Sequence, residues 1–266
     1  MQTENLIFYH GTGSDAAQAI LGSRAKPQLK EIGAFKLGQD ILRALRTHAK
    51  VTPDEDAKLH FVFKGRPGAE YSDLWLPAFK GLDSDDYRHF KYGHFFATLN
   101  IANAYRYALN PYRSEFLRAI AESIELLRDL GDPLPDTLPS KYPRIASAIE
   151  SPSPPVVLEL RGITAEKLLT AEGDSDIQGQ IENWSDMQTY SGVNAPVDFR
   201  ICYLVSGHIV AIHDLSSYTR EMIGDGAWQP DESQLKAARH LPGDWAAMST
   251  ACLTPPSTSS PSANPH

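Results

Sequence analysis

The first apolar cluster, Asn5 to Tyr9 (NLIFY), is short and aromatic, which fits a buried strand. Ser14 or Asp15 then caps a helix in which Ala17, Ile20 and Leu21 recur at helical spacing. From Phe35 to Ala49, residues Ile41, Leu42, Leu45 and Ala49 share one helical face, and residues 23–90 read as a largely helical insertion. KYGHFFATLNIANAYRYAL predicts a second strand ending near Ala97 and a helix beginning near Asn100. The clearest helix starts at Ser114, with Phe116, Ile120, Ile124 and Leu127 in one stripe and Gly131 at its C-terminal end. Seven prolines between Asp132 and Pro155 predict a surface connection holding at most a short turn at RIASAIE. VVLELRG (Val156 to Gly162) is a strand, and DFRICYLVSGHIVAIHDL reads as a hairpin turning at Ser206 and Gly207. Strands dispersed among helices, without regular alternation, predict an α+β fold in a single domain over residues 1–250. The tail, residues 251–266, has the proline and serine content of disordered chain.

A net charge of −8 argues against a surface built mainly to hold nucleic acid and leaves nucleic acid as a substrate. Cys202 and Cys252 supply neither a disulfide framework nor a tetrahedral metal set, so synthesis in a reducing, cytoplasmic compartment is expected. MQTENLIF lacks a basic segment followed by an apolar stretch, and no run of apolar residues is long enough to span a bilayer. The expectation is a protein with no membrane partner and no cleavable signal, so delivery to another cell would use a different route. No GxGxxG, GxxxxGK[ST] or GxSxG motif is present. His208 and His213 are five apart and face opposite sides of a strand, and His89 and His94 have no ligand at suitable spacing, so no metal site is expected.

The polar interruption His10-Gly11-Thr12 at the mouth of the first strand has a bland explanation, a histidine hydrogen-bonded to a loop and a glycine that a turn requires. Yet YHGT followed by A-x-x-I-L, and later G-x-F-F-A-T before A-x-x-Y, resembles the two N-terminal motifs of the diphtheria-toxin and poly(ADP-ribose) polymerase branch of the ADP-ribosyltransferases. The first unit is also similar to the start of the rifampicin-modifying transferases. The resemblance covers about forty residues. It implies a split β-sandwich with helical insertions around an NAD cleft. By the same resemblance His10 holds the adenosine-side ribose, the backbone of Gly11 pairs with the nicotinamide carboxamide, and Thr12 stands beside that contact. Phe95 occupies the position of a tyrosine that stacks on nicotinamide. Tyr105 matches the aromatic that closes the other side, and Ala102 falls near a small pocket residue. Phe95 and Tyr105 also fit ordinary core, and Phe96, turned away from Phe95 by alternation, is read as core.

In such enzymes a carboxylate near the ribose stabilises the positive charge that develops as nicotinamide leaves. Asp198, at the head of DFRICYLV, is the first candidate, although it is one methylene shorter than the usual glutamate. The acidic loop AEGDSD, with Glu172, Asp174 and Asp176, is the alternative, Asp174 being the reserve; it also reads as a solvated turn. The expected activity is mono-ADP-ribosyl transfer from NAD, as co-substrate, to a protein or nucleic-acid acceptor, in the manner of a bacterial toxin or effector. Two other readings stand beside it. One is an inactive protein of this fold that binds NAD or a protein partner. The other is a helical interaction module in which the two motifs are coincidental: the transferase reading requires His10 and Tyr105 to line one cleft, and a separation too large for one nicotinamide nucleotide ends it.

Overall fold

Residues 3–22, 33–80, 95–171, 173–191, 197–202, 206–223 and 230–245 are described in the computed structural model of the chain. Strand β1 (Phe8–Gly13) leads into α1 (Ser14–Leu21), and α2 (Ala34–Ala49), α3 (Leu59–Val62) and α4 (Ser72–Lys80) follow. Next come β2 (Phe95–Thr98), α5 (Ile101–Ala108), α6 (Glu115–Asp129), α7 (Leu134–Lys141) and α8 (Pro143–Glu150). The C-terminal half contributes β3 (Pro155–Leu160), β4 (Leu168–Thr170), α9 (Ile177–Ser191), β5 (Asp198–Ile201), β6 (Ile209–Asp214), α10 (Arg220–Ile223), α11 (Glu232–Ala238) and β7 (Arg239–His240). The fold is mixed α+β, and its strands form one antiparallel sheet in the order β4-β5-β2-β1-β3-β6-β7. Among the described residues no helix is long and apolar enough to cross a membrane.

Two apolar cores cover the two faces of the sheet. On one face, Phe8, Leu158, Leu160, Phe199 and Ile212 pack against Ala17 and Ile20 of α1 and Ile177 and Ile181 of α9. On the other, α5 lays Ala104, Tyr105 and Ala108 over Val157 and Leu215. A third core is helical: Leu37, Ile41 and Leu45 of α2 and Trp75 and Phe79 of α4 pack with Phe116, Ile120 and Leu127 of α6. The helices expected as an insertion therefore bury their apolar stripes against a distant part of the chain. Inside this lobe Arg46 makes a two-point ion pair with the fully buried Asp56, at 2.8 and 2.7 Å. Helix α6 ends as its sequence suggests, with Gly131 at φ 69 closing the last turn.

Five expectations change, the first being the split β-sandwich, since all seven described strands belong to one sheet. Strand β1 does not stop at Tyr9: His10, Gly11 and Thr12 are strand residues paired with Leu158, Val157 and Val156. The proline-rich stretch 132–155 holds two helices: Pro135 and Pro143 fall in first turns, where the missing N–H has no intrahelical partner to lose, while Pro139 lies inside α7. Leu138, Ile145 and Ala146 from these helices enter the helical core. Strands β5 and β6 are not a hairpin: β2, β1 and β3 lie between them. The acidic loop is followed by the fifteen-residue helix α9, whose apolar contacts Ile177 and Ile181 are too sparse to announce it in sequence. The expected disordered tail, Cys252, His89, His94 and Glu172 lie outside the described residues.

Candidate functional site

The candidate site lies at the seam between β1 and β2. Along β3, the Leu215 N–H donates to the Pro155 carbonyl, which turns the main-chain groups of Pro155, Val157 and Glu159 toward β6. The intervening Val156, Leu158 and Leu160 therefore face β1, where they pair with Thr12, His10 and Phe8. It follows that Tyr9, Gly11 and Gly13 turn their N–H and C=O groups away from β3, toward β2. Among the described residues the β1–β2 ladder holds one registered pair, Tyr9 with Thr98. Beyond it the next β1 group facing the seam is the N–H and C=O of Gly11.

Next to this pair the side chain of His10 reaches β2. Its Nδ1 lies 2.5 Å from the carbonyl oxygen of Phe96, so a side chain occupies an acceptor that a continued ladder would give to Gly11. The imidazole stacks at 3.9 Å, centroid to centroid, on the ring of Phe95 and is 9 % exposed. A carbonyl at Nδ1 requires a proton there, which makes Nε2 the acceptor of the neutral ring. His10, Gly11, Thr12 and Phe95 are thus together at the seam, Thr12 buried on the same face as His10.

The glycine is explained differently from the sequence expectation. Position 11 is crowded from above by α5: a Cβ there would overlap the Ala104 carbonyl oxygen and stand 2.6 Å from the Ala108 nitrogen. Gly11 is needed for the approach of a helix backbone, and its main-chain edge faces the seam.

Tyr105 does not close the pocket opposite Phe95. Ile101, Ala104, Tyr105 and Ala108 form the i, i+3, i+4, i+7 stripe that α5 turns to the sheet, so Tyr105 is fully buried on the face opposite His10. Its hydroxyl lies 3.3 Å from Nδ1 of His213, and its ring packs edge-on to Tyr218. The α5 aromatic that stands beside Gly11 is Tyr107, whose Cβ is 3.0 Å from the position a Gly11 Cβ would take and which is 42 % exposed. His10 and Tyr105 thus lie on opposite faces of the sheet and do not line one cleft, as the transferase resemblance requires of them; Tyr107, also on the α5 face, is the aromatic beside Gly11. Ala102 is buried in the first turn of α5, its N–H donating to the capping side chain of Asn100.

Asp198 heads β5 and pairs with Thr98, on the α5 face of the sheet and not the His10 face. Tyr107 Oη donates to its Oδ2 at 3.0 Å. Burial, then the charge and hydrogen bond of Asp198, push the Tyr107 phenol well above its ordinary pKa. Two residues along, on the same face, Arg200 lies over the Phe96 ring and donates from Nε and Nη2 to the Ala171 carbonyl at 2.9 and 2.6 Å. The acidic loop is thereby tied to β5. Within it, Asp174 closes a turn on Thr170 through main-chain and hydroxyl contacts, and Asp176 accepts from the Gly179 N–H at the start of α9. Both aspartates are exposed, and Asp176 serves as a helix cap.

Sequence reasoning missed a buried polar cluster on the α5 face. Glu159, 5 % exposed, receives Arg239 Nε at 3.0 Å and has His213 Nε2 at 3.3 Å. Burial alone would raise its pKa, but the hydrogen bonds and charges of His213 and Arg239 prevail and hold it at about 2. Tyr9 stands over the same cluster, its phenol pushed up to about 12 by burial and by the charge of Glu159. The signal was available: Glu159 is a single carboxylate inside an otherwise apolar strand. Compared with family models, with curated proteins and with solved structures, the chain matches none.

Proposed function

We propose that the chain is an NAD-dependent mono-ADP-ribosyltransferase whose nicotinamide subsite is the seam between β1 and β2. The observation that carries this reading is the Gly11 edge: a main-chain N–H and C=O side by side, facing a seam in which His10 takes the Phe96 carbonyl. A primary carboxamide offers the complementary pair, one acceptor and one donor. Phe95, stacked on His10, supplies an aromatic wall on one side, and Tyr107 stands on the other.

In the reaction the bond between ribose C1′ and the nicotinamide nitrogen breaks, and its electron pair leaves with the ring, which becomes neutral. A lone pair of the acceptor forms the new bond to C1′, and the acceptor's proton passes to solvent. Gly11 would orient the leaving group, and Asp198 would stabilise the positive charge on the ribose. The acceptor is a protein or nucleic acid.

A second reading is favoured by one observation: Asp198 lies on the face opposite His10. It is that the chain binds NAD without transferring ADP-ribose. Incubation with NAD separates the two. Nicotinamide release, with ADP-ribose mass added to a protein, RNA or DNA fraction, supports transfer. Calorimetric binding without release supports the second reading, and neither signal overturns both.

A further inference from the structure

Asp198 is one methylene shorter than the usual glutamate, and a group in contact with its carboxylate comes from a helix residue that lies over β1, across the seam. Tyr107 lies outside the apolar stripe of α5, with its Cβ over Gly11 of β1 and its hydroxyl 3.0 Å from Asp198 Oδ2 on β5. It therefore bridges the two halves of the sheet where their ladder is reduced to Tyr9 and Thr98. The partners of that ladder pair reinforce the placement, since Thr98 also pairs with Asp198 and the row Tyr9-Thr98-Asp198 marks the closed end of the seam.

We propose that Tyr107 is a positioning residue for Asp198, its hydroxyl holding the carboxylate at the end of the seam against which the ribose of NAD would lie. The role rests on the transferase reading. It divides the side chain in two: the ring lines the seam beside Gly11, and the hydroxyl orients the acid. Phenylalanine at this position keeps the first property and removes the second.

The test is a double-mutant cycle on nicotinamide release with Tyr107→Phe, Asp198→Asn and the pair. Tyr107→Phe is expected to lower kcat roughly 10- to 100-fold while KM for NAD stays within about twofold, the split that a misplaced acid produces. In the Asp198→Asn background the same change is expected to cost nothing further, because the carboxylate it positions is gone. A wild-type kcat in Tyr107→Phe, or losses that multiply in the pair, would overturn the role while leaving the transferase reading intact. A wild-type protein that releases no nicotinamide removes the transferase reading and this role with it.

Discussion

Gly11 of β1 lies directly beneath Ala104 of α5, so close that the helix carbonyl occupies the space a β-carbon would need. Gly11→Ala is accordingly expected to destabilise the fold by about 1–3 kcal/mol, the range for forcing an extra carbon into a packed interior. Urea unfolding measures this, and an alanine variant as stable as the parent would mean that α5 does not rest on β1 in this way.

Tyr105 and His10 are on opposite faces of the sheet, which separates their expected phenotypes. Tyr105→Phe removes a hydroxyl from His213 and is expected to cost on the order of 1 kcal/mol of stability, with NAD affinity unchanged. His10→Ala is expected to weaken NAD binding at least about tenfold, because it removes both the stack on Phe95 and the contact with the Phe96 carbonyl. Calorimetry on both variants checks the contrast, and a loss of affinity in Tyr105→Phe would restore it to the pocket.

Glu159 makes stability depend on acid. Its pKa lies at about 2 in the folded state against an ordinary 4.5, so the ionised form is favoured by folding. That contribution is complete above pH 4.5 and is lost as pH falls toward 2. Glu159→Gln is expected to be less stable than the parent at neutral pH, and to show a shallower decline through the same acid window. Unfolding midpoints measured across that window test it; parallel curves for the two proteins would contradict it.

The helical lobe offers an independent check in Asp56, fully buried and held by Arg46 at two points. Asp56→Ala leaves the arginine without its carboxylate and is expected to cost about 3–5 kcal/mol. A change within about 0.5 kcal/mol, the scale of ordinary surface substitutions, would show that the pair is not buried as described.

Local patterns carried much of this fold. Helix α6, the pairing of β2 with α5, and the strand character of Val156 to Leu160 were legible because apolar spacing reports which face is covered. Helices α7 and α8 are hidden by their prolines: Pro135 and Pro143 cost little in a first turn, and Pro139 is accommodated inside α7. The separation of β5 from β6 was not legible, since a serine-glycine pair between two apolar runs looks the same whether the strands pair or part. Of the candidate residues, Phe95, distant in sequence from His10 and Gly11, stands with them at the seam. The helical stripe beginning at Ile101 places Tyr105 in the core, a pattern legible in the sequence.

The central claim is that the Gly11 edge receives a carboxamide. The most direct measurement is calorimetric binding of NAD beside its deamido analogue, in which a carboxylate replaces the carboxamide. NAD is expected to bind, and the analogue at least about tenfold more weakly, because it offers the Gly11 carbonyl no N–H and sets an anion against it. Equal affinity for the two, or no binding of NAD, would contradict the assignment of the seam as a nicotinamide site.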